Sequence, residues 1–405
     1  MDDFIVGIDI GSSKICTVIG TIKEENGENY LEIIGTGLSS SHGIKKGNII
    51  NISKTVEDIN ASIKEAEITS GVEIESAYVN ISGRNIKSIP GKGSITITNR
   101  NKEITEEDVE RVVTHGSNVQ LPQNNVKLHV LTQEFVVDEQ DGIQNPVGMI
   151  GNNLEVDLNI ITVPITLKNN LINCLNKSKI RVDSIVLSHI ASGEAVLTED
   201  EKQLGVAIID IGEGVTDVGI FEKGVLVFST TIPIGGFNFT NDLAIGIRTP
   251  IEKAERIKRK YGLGLDIELK NETIEVPNIG AKKNRQISIS LLEEILRPRA
   301  EEIFEYALNE ILNSGYKDLI TAGIVLTGGG SMLDGILDIA NDIFTDPIRI
   351  GEPYGVGGLI NKVGTPEYAT AVGLLKYGYM DKSEKGVLHK KSGNFLSKIK
   401  DWFGL

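Results

Sequence analysis

Asp9-Ile10-Gly11 and Asp210-Ile211-Gly212 repeat one tripeptide about two hundred residues apart, each at the end of an apolar run. In "FIVGIDIGSSKICTVIGTI" the run stops at Asp9, Gly11 and Ser12 break the pattern, and "ICTVIGTI" resumes it. "LGVAIIDIGEGVTDVGIFEKGVLVFS" has the same order of parts. Strand, tight turn, strand suits a polyphosphate, because glycine lets backbone N–H groups approach the phosphates and adopt positive φ. An aspartate at the strand end can hold Mg²⁺ through water, an ion that favours one or two carboxylates plus phosphate oxygens. Lys14 is placed to meet a phosphate as a point charge. A third unit, "AGIVLTGGGSMLDGILDIANDIF", reads as a buried strand, Gly328-Gly329-Gly330, then apolar residues at helical spacing (Met332, Leu333, Ile336, Leu337, Ile339, Ala340). Its glycines would let a flat group lie against the backbone with a helix N-terminus nearby.

Each feature has a plainer alternative. A glycine turn after a strand is most often structural. A lone lysine is most often solvated. Glu255 and Lys258, at i and i+3 of a helical pattern, are commonly a surface pair worth a few tenths of a kcal/mol. The conjunction decides: two matched Asp-Ile-Gly turns followed by strand–GGG–helix are hard to obtain by chance and point to two related halves with phosphate-binding turns.

The elements between these landmarks must position them. Residues 53–68 and 104–114 read as helices, the second with Thr105 as N-cap and Asp108 at the third helical position. At 249–261, Thr249, Pro250 and Glu252 supply cap, first-turn proline and capping-box acid. Residues 290–313 form a long amphipathic helix with Pro298 near its start. Residues 84–162 read as an insertion of strand, helix and the hairpin-like "LHVLTQEFVVD" and "LEVDLNIITVP". Cys16 and Cys174 sit in apolar patterns and are expected as buried free thiols of a reducing compartment. Asp2 and Asp3 stand where a signal peptide would be positive, and no apolar run approaches the ~20 residues of a membrane span. A net charge of −15 argues against a general nucleic-acid binder.

The end of the chain departs from that balance. Residues 382–405 carry six lysines against Glu384 and Asp401, a net of +4. Residues 381–393 are polar without periodicity and read as a linker, spanning ~20 Å root-mean-square. On a helix over 394–405, Phe395, Leu396, Ile399, Trp402 and Phe403 fall within an arc of roughly 120°, with Lys398 and Lys400 at its flanks. That layout suits a helix in a membrane interface, with lysines reaching anionic headgroups. A helix docked on the chain's own core is the alternative.

These residues resemble the actin/hexokinase/DnaK-type ATPase superfamily and, within it, the FtsA family of bacterial cell-division actin homologues. "GIDIGSSKI" with "SHGIKKGNIIN", "HVLTQEFVVDEQDGIQNPVGMIG", "VLTEDEKQLGVAIIDIG" and "AGIVLTGGGSMLDG" followed by "YATAVGLLKYG" carry the likeness. The resemblance implies an α/β, actin-like fold: two duplicated mixed-sheet halves around a nucleotide cleft, an inserted small α+β subdomain and a C-terminal amphipathic helix. It implies subdomain 1A at 1–83 and 163–204, an SHS2-like 1C at 84–162, 2A at 205–228 and 304–380, and 2B at 229–303. It implies ATP with Mg²⁺, the metal held through water by Asp9 and Asp210. Asp9, Gly11, Ser12, Ser13 and Lys14 would face the phosphates from one side, and Asp210, Gly212, Gly214, Val215 and Thr216 from the other. Glu255, Lys258, Gly328, Gly329, Gly330 and Ser331 would meet the adenosine.

Two positions depart from the family pattern. Glu213 stands where a glycine is usual, near the phosphates or pointing away from them. Ser188 stands where an acidic or amide side chain positions the attacking water, which implies slow hydrolysis and ATP as a conformational clamp. The implied partners are the C-terminal peptide of FtsZ on 229–303, further copies of the chain in a filament, anionic lipids and later division proteins. "IKRKYG", Lys282, Lys283 and Arg285 are the charges available to the acidic peptide, with plain solvation as the alternative. The implied location is the cytoplasmic face of the cell membrane at the division site. The rivals are a PilM-like pilus adaptor and a small-molecule kinase, for which no general base stands out beyond the two turn aspartates.

Overall fold

The computed structural model describes residues 4–25, 27–264, 272–277 and 284–384. The first sheet has six strands in the order β11-β6-β1-β2-β3-β19. They are β1 (Phe4–Ile10), β2 (Lys14–Glu25), β3 (Glu28–Ser40), β6 (Ser76–Ile81), β11 (Arg181–Leu187) and β19 (Gly357–Gly358). A small hairpin, β4 (Ile44–Lys45) and β5 (Asn48–Ile49), follows β3. The five-stranded second sheet runs β14-β13-β12-β17-β18. It comprises β12 (Val206–Ile211), β13 (Thr216–Glu222), β14 (Val225–Ile232), β17 (Ile324–Thr327) and β18 (Ile348–Ile350).

The two sheets share one wiring. In each, an antiparallel meander (β1-β2-β3, or β12-β13-β14) is extended from its first strand by two parallel strands, β6 then β11, or β17 then β18. The duplicated tripeptide is therefore the visible part of a duplicated half. Val206–Ile211 is buried at every position, as expected of a strand covered on both faces. Two large apolar cores lie on these sheets: one around Ile8, Val18 and Leu187 that also takes in Val206, Ile208, Phe221 and Val325 of the second sheet, the other around Ile209, Leu326 and Phe304.

The insertion is a separate four-stranded antiparallel sheet, β7-β10-β8-β9. Its strands are β7 (Lys87–Thr96), β8 (Asn125–Val137), β9 (Gln140–Ile143) and β10 (Asn153–Pro164). The two hairpin-like segments pair with each other as β8 and β10. A third core around Phe135 and Val112 lies between this sheet and α2 (Glu106–Ser117). The insertion is tied to the second half by Asn159, whose amide donates to the Leu226 carbonyl at 2.8 Å, and by Lys223–Glu134 at 2.8 Å.

The remaining helices are α1 (Ile52–Ser70), α3 (Ile165–Lys177), α4 (Ser188–Val196), α5 (Glu199–Leu204), α6 (Gly236–Gly246), α7 (Ile251–Tyr261), α8 (Ser290–Asn313), α9 (Ile336–Ile343), α10 (Ile360–Val363) and α11 (Ala369–Glu384). A last hairpin, β15 (Thr273–Val276) with β16 (Arg285–Ser288), lies beside them. Thr105 is the N-cap as expected, and Asp108 returns the bond to complete a capping box.

Three local expectations are corrected. The Thr249 hydroxyl donates to the Pro277 carbonyl at 2.9 Å, so α7 starts at Ile251 with Pro250 at the N-cap position and no side-chain cap. The glycine-rich loop leads into a 3₁₀ turn, Gly329–Met332, and α9 starts only at Ile336, because Gly335 adopts a left-handed φ of 84°. Residues 381–384, expected to open the linker, continue α11 instead. The rest of the linker and the amphipathic segment 394–405, with Phe395, Leu396, Lys398, Ile399, Lys400, Trp402 and Phe403, lie outside the described residues, as do Lys282 and Lys283. No helix among the described residues is long and apolar enough to cross a membrane.

α4 and α11 pack against each other at close quarters. A Cβ on Gly373 would stand 1.7 Å from the Ala191 carbonyl oxygen, a clash with backbone that no side-chain rotation relieves. Gly373→Ala is therefore expected to destabilise the protein by about 1–3 kcal/mol and to lower the melting temperature by several degrees. An unchanged thermal unfolding curve would contradict this packing.

Candidate functional site

A cleft of about 690 Å³ opens between the two sheets, and both Asp-Ile-Gly turns line it. The turns are built alike. The Gly11 amide donates to the Lys14 carbonyl at 3.1 Å, and the Gly212 amide to the Val215 carbonyl at 3.0 Å. Both loops therefore present the residues between, Ser12-Ser13 and Glu213-Gly214, to the cleft. The turns nearly touch: a Cβ on Gly214 would lie 2.8 Å from Ser12 Oγ and 2.9 Å from Lys46 Cα. Ser12 Oγ accepts from the Gly47 amide at 3.1 Å, so the β4–β5 hairpin closes this end.

Of the expected phosphate residues, Asp9, Gly11, Ser12, Ser13, Lys14, Asp210, Gly212, Gly214 and Val215 line the cleft. Thr216 lies behind the wall, fully buried, its hydroxyl donating to the Ile234 carbonyl at 2.9 Å. Among the adenosine residues, Gly328, Gly329, Gly330, Glu255 and Lys258 line the other end. Ser331 is buried and donates to the Gly328 carbonyl at 2.8 Å. Gly328 is the position only glycine fits: its φ is 82°, and a Cβ would meet Asp210 Oδ1 at 2.3 Å.

Glu255 and Lys258 are no surface pair. Lys258 is buried, 2.7 Å from Glu255, and donates to the Gly236 carbonyl at 3.0 Å and to Thr240 Oγ1 at 2.9 Å. Thr240 donates in turn to Glu255. Burial lowers the Lys258 pKa, offset in part by Glu255. Glu213 faces the cleft, and burial followed by repulsion from Glu255 raises its pKa.

The carboxylates dominate the electrostatics. Asp9 is pushed up to about 6 by burial, against the pull of Lys14 and the hydrogen bond from Asn80. Asp210 is pushed up to about 7 by burial, then by the charges of Asp217 and Asp9. Mutual repulsion of this kind favours a cation among them. No cluster of three or more His, Cys, Asp or Glu side chains among the described residues forms a metal cage. A divalent ion here would share its shell between one or two carboxylates, waters and phosphate oxygens, as Mg²⁺ prefers.

Four side chains that the sequence left unremarked also line the cleft. Asn80, from β6, donates to Asp9 Oδ1 at 2.8 Å and to Ser188 Oγ at 3.1 Å, and accepts from the Ile10 amide at 2.7 Å. Ser82 of the first half donates to Asp217 Oδ2 at 2.6 Å, a bond that crosses between the halves. Asp217 Oδ1 accepts from Thr231 at 2.6 Å. A third buried aspartate thus stands beside the expected pair, with both oxygens already engaged. Glu367 meets Lys14 at 2.8 Å. Asn80 and Asp217 had a readable signal, each a polar residue breaking an apolar strand; Glu367 had none. Ser188 donates to the Ile81 carbonyl at 3.2 Å and offers no carboxylate to a water.

Relatives decide the family. The chain is 41% identical to the cell division protein FtsA of Pseudomonas aeruginosa over 394 residues, covering 97% of this chain and 93% of that one. The chain belongs to the FtsA family. FtsA of Escherichia coli K12 is 35% identical over 92% of this chain and 90% of its own length. FtsA of Bacillus subtilis is 35% identical over 93% and 83%. Residues 207–373 match the family description "Cell division protein FtsA", and residues 83–162 match "SHS2 domain inserted in FTSA". Among solved structures, the PilM–PilN type IV pilus biogenesis complex superposes with a TM-score of 0.64 at 16% identity, over 92% of this chain and 98% of that one. MreB5 of Spiroplasma citri bound to ADP does so with 0.55 at 14% identity, over 95% and 98%. These two establish the actin-like fold and nothing finer, so the pilus adaptor is a fold neighbour only.

Asp9 and Asp210 bind a proton more tightly in the folded than in the unfolded chain, whose value is near 3.8. Their contribution to the stability of the nucleotide-free FtsA-family fold is greatest below that value. It is lost progressively as the pH rises through about 6 and about 7. Asp210→Asn should therefore melt higher than wild type at about pH 8 and converge with it near about pH 4. Parallel pH–stability curves would contradict this.

Proposed function

We propose that the chain is an actin-like, ATP-binding division protein that polymerises and anchors the FtsZ ring to the cytoplasmic face of the membrane. What supports this is the pair of matched Asp-Ile-Gly turns facing each other across one cleft, in a chain of the FtsA family. In this proposal the turn residues hold the ATP phosphates, Asp9 and Asp210 hold Mg²⁺ through water, and Glu255, Lys258 and the 328–331 loop meet the adenosine. Thr216 and Ser331, set behind the wall, support those loops.

The division into 1A (1–83, 163–204), 1C (84–162), 2A (205–228, 304–380) and 2B (229–303) belongs to the same proposal. In 2B, a groove of about 640 Å³ is lined by Lys253, Arg256 and Lys260 beside Ile257, Tyr261, Ile274 and Pro277. Three cations against one carboxylate, Glu275, over an apolar floor suit an acidic peptide with apolar anchors, such as the FtsZ C-terminal segment. Arg285 is already spent on the Ile247 carbonyl and is not one of them. Subdomain 1C would make the longitudinal filament contact and meet later division proteins. The segment 394–405 would lie in the anionic leaflet through Phe395, Leu396, Ile399, Trp402 and Phe403, with Lys398 and Lys400 at the headgroups.

Hydrolysis is expected to be slow. Ser188 supplies no base, and both oxygens of the nearby Asp217 are engaged, accepting from Ser82 and Thr231. One set of assays tests these roles together. With ATP, Mg²⁺ and anionic vesicles, the full chain should float with lipid and sediment as assemblies, whereas a chain ending at residue 389 should stay with the aqueous phase. Phosphate release in the same samples should fall far below the roughly 1–100 s⁻¹ of kinases. Equal flotation of both chains sinks the anchor, and kinase-like turnover sinks the clamp.

A further inference from the structure

Lys14 is the cation expected at the phosphates, yet in this structure it already has an anion. Its Nζ lies 2.8 Å from Glu367 Oε2 and 3.7 Å above the centre of the Tyr368 ring. The pair is largely shielded, with side-chain exposures of 18% and 28%. Lys14 begins β2, whereas Glu367 sits in a 3₁₀ turn, Pro366–Tyr368, on the segment between β19 and α11. That turn is pinned to the glycine-rich loop: the Pro366 carbonyl accepts from the Gly328 amide at 3.2 Å and from Thr327 Oγ1 at 3.4 Å. Glu367 Cβ would be the nearest neighbour of a side chain at Gly329, at 3.7 Å. The carboxylate also lies within the field of Arg259 on the opposite wall, whose pKa is held up chiefly by Glu255 and in smaller part by Glu367.

We propose that Glu367 is a stand-in for a nucleotide phosphate: it occupies Lys14 across the cleft until a phosphate displaces it, and so weakens and selects the binding of phosphate-bearing ligands. This rests on the nucleotide reading of the cleft and adds a residue to it. The Lys14 ammonium is a compact point charge whose field at the cleft is already offset by the adjacent Glu367 carboxylate. An arriving phosphate therefore competes with the Glu367 carboxylate for the same ammonium and meets its repulsion, because the turn that carries Glu367 is bonded to the Gly328 loop. The same exchange acts on the turn that leads directly into α11.

The test compares wild type, Glu367→Gln, Lys14→Met and the double variant, using calorimetric binding of ATP, ADP and adenosine with Mg²⁺. Glutamine keeps the size of the side chain, and thermal unfolding of each variant checks that the fold is retained. Glu367→Gln should bind ATP and ADP about three- to tenfold more tightly while leaving adenosine unchanged, and the gain should shrink as salt is raised. In the Lys14→Met background the gain should fall well below its wild-type size, because the lysine is what the carboxylate withholds. Wild type that binds ATP while Glu367→Gln binds it no more tightly overturns the proposal alone. Equal tightening for adenosine, or an undiminished gain without Lys14, overturns it as well. Failure of every folded variant to bind any of the three ligands overturns the nucleotide reading, and this proposal with it.

Discussion

Negative charge buried at the ends of two central strands is the constraint on which the rest of the molecule depends. Asp9 and Asp210 each end a strand whose neighbours are apolar, and Asp217 stands close enough to raise Asp210 further. Leaving such carboxylates in an apolar interior is costly unless cations or hydrogen bonds meet them. The protein meets them only in part. Asn80 holds Asp9, and Ser82 with Thr231 holds Asp217. The remaining imbalance is what would suit the cleft to the metal and phosphates of the proposed function.

The duplicated wiring explains how two aspartates so far apart in sequence come to share one cleft. Each half ends its first strand in the same glycine turn, and small residues let the elements behind the first turn pack closely. α4 and α11 meet at Ala191 and Gly373, and Gly7 of β1 leaves room for Ala371 and Leu374. Hydrogen bonds across the halves, Ser82 to Asp217 and His189 Nε2 with Ser229 Oγ at 2.6 Å, set their spacing. The site is therefore rigid at its turns and depends on the relative placement of two bodies, a geometry suited to a ligand that clamps them.

What was legible in the sequence was local. The glycine turns, the alternation of buried strands and the Thr105 N-cap involve residues only a few positions apart, so pattern alone reveals them. Thr249 failed as a cap because its partner, Pro277, is 28 residues away and belongs to another element. Asn80 reaches Asp9 across 71 positions, and Glu367 reaches Lys14 across 353. No periodicity encodes such meetings; they exist only once the sheets are assembled. Glu213 could be placed near the turn by sequence, but its direction into the cleft required the fold.

The most direct test of the central claim is a crystal structure of the chain grown with ATP and Mg²⁺. The account predicts one triphosphate between the Ser12-Ser13 and Glu213-Gly214 turns, with the metal's waters on Asp9 and Asp210. A nucleotide bound elsewhere, or a cleft that holds none at saturating concentration, would contradict it.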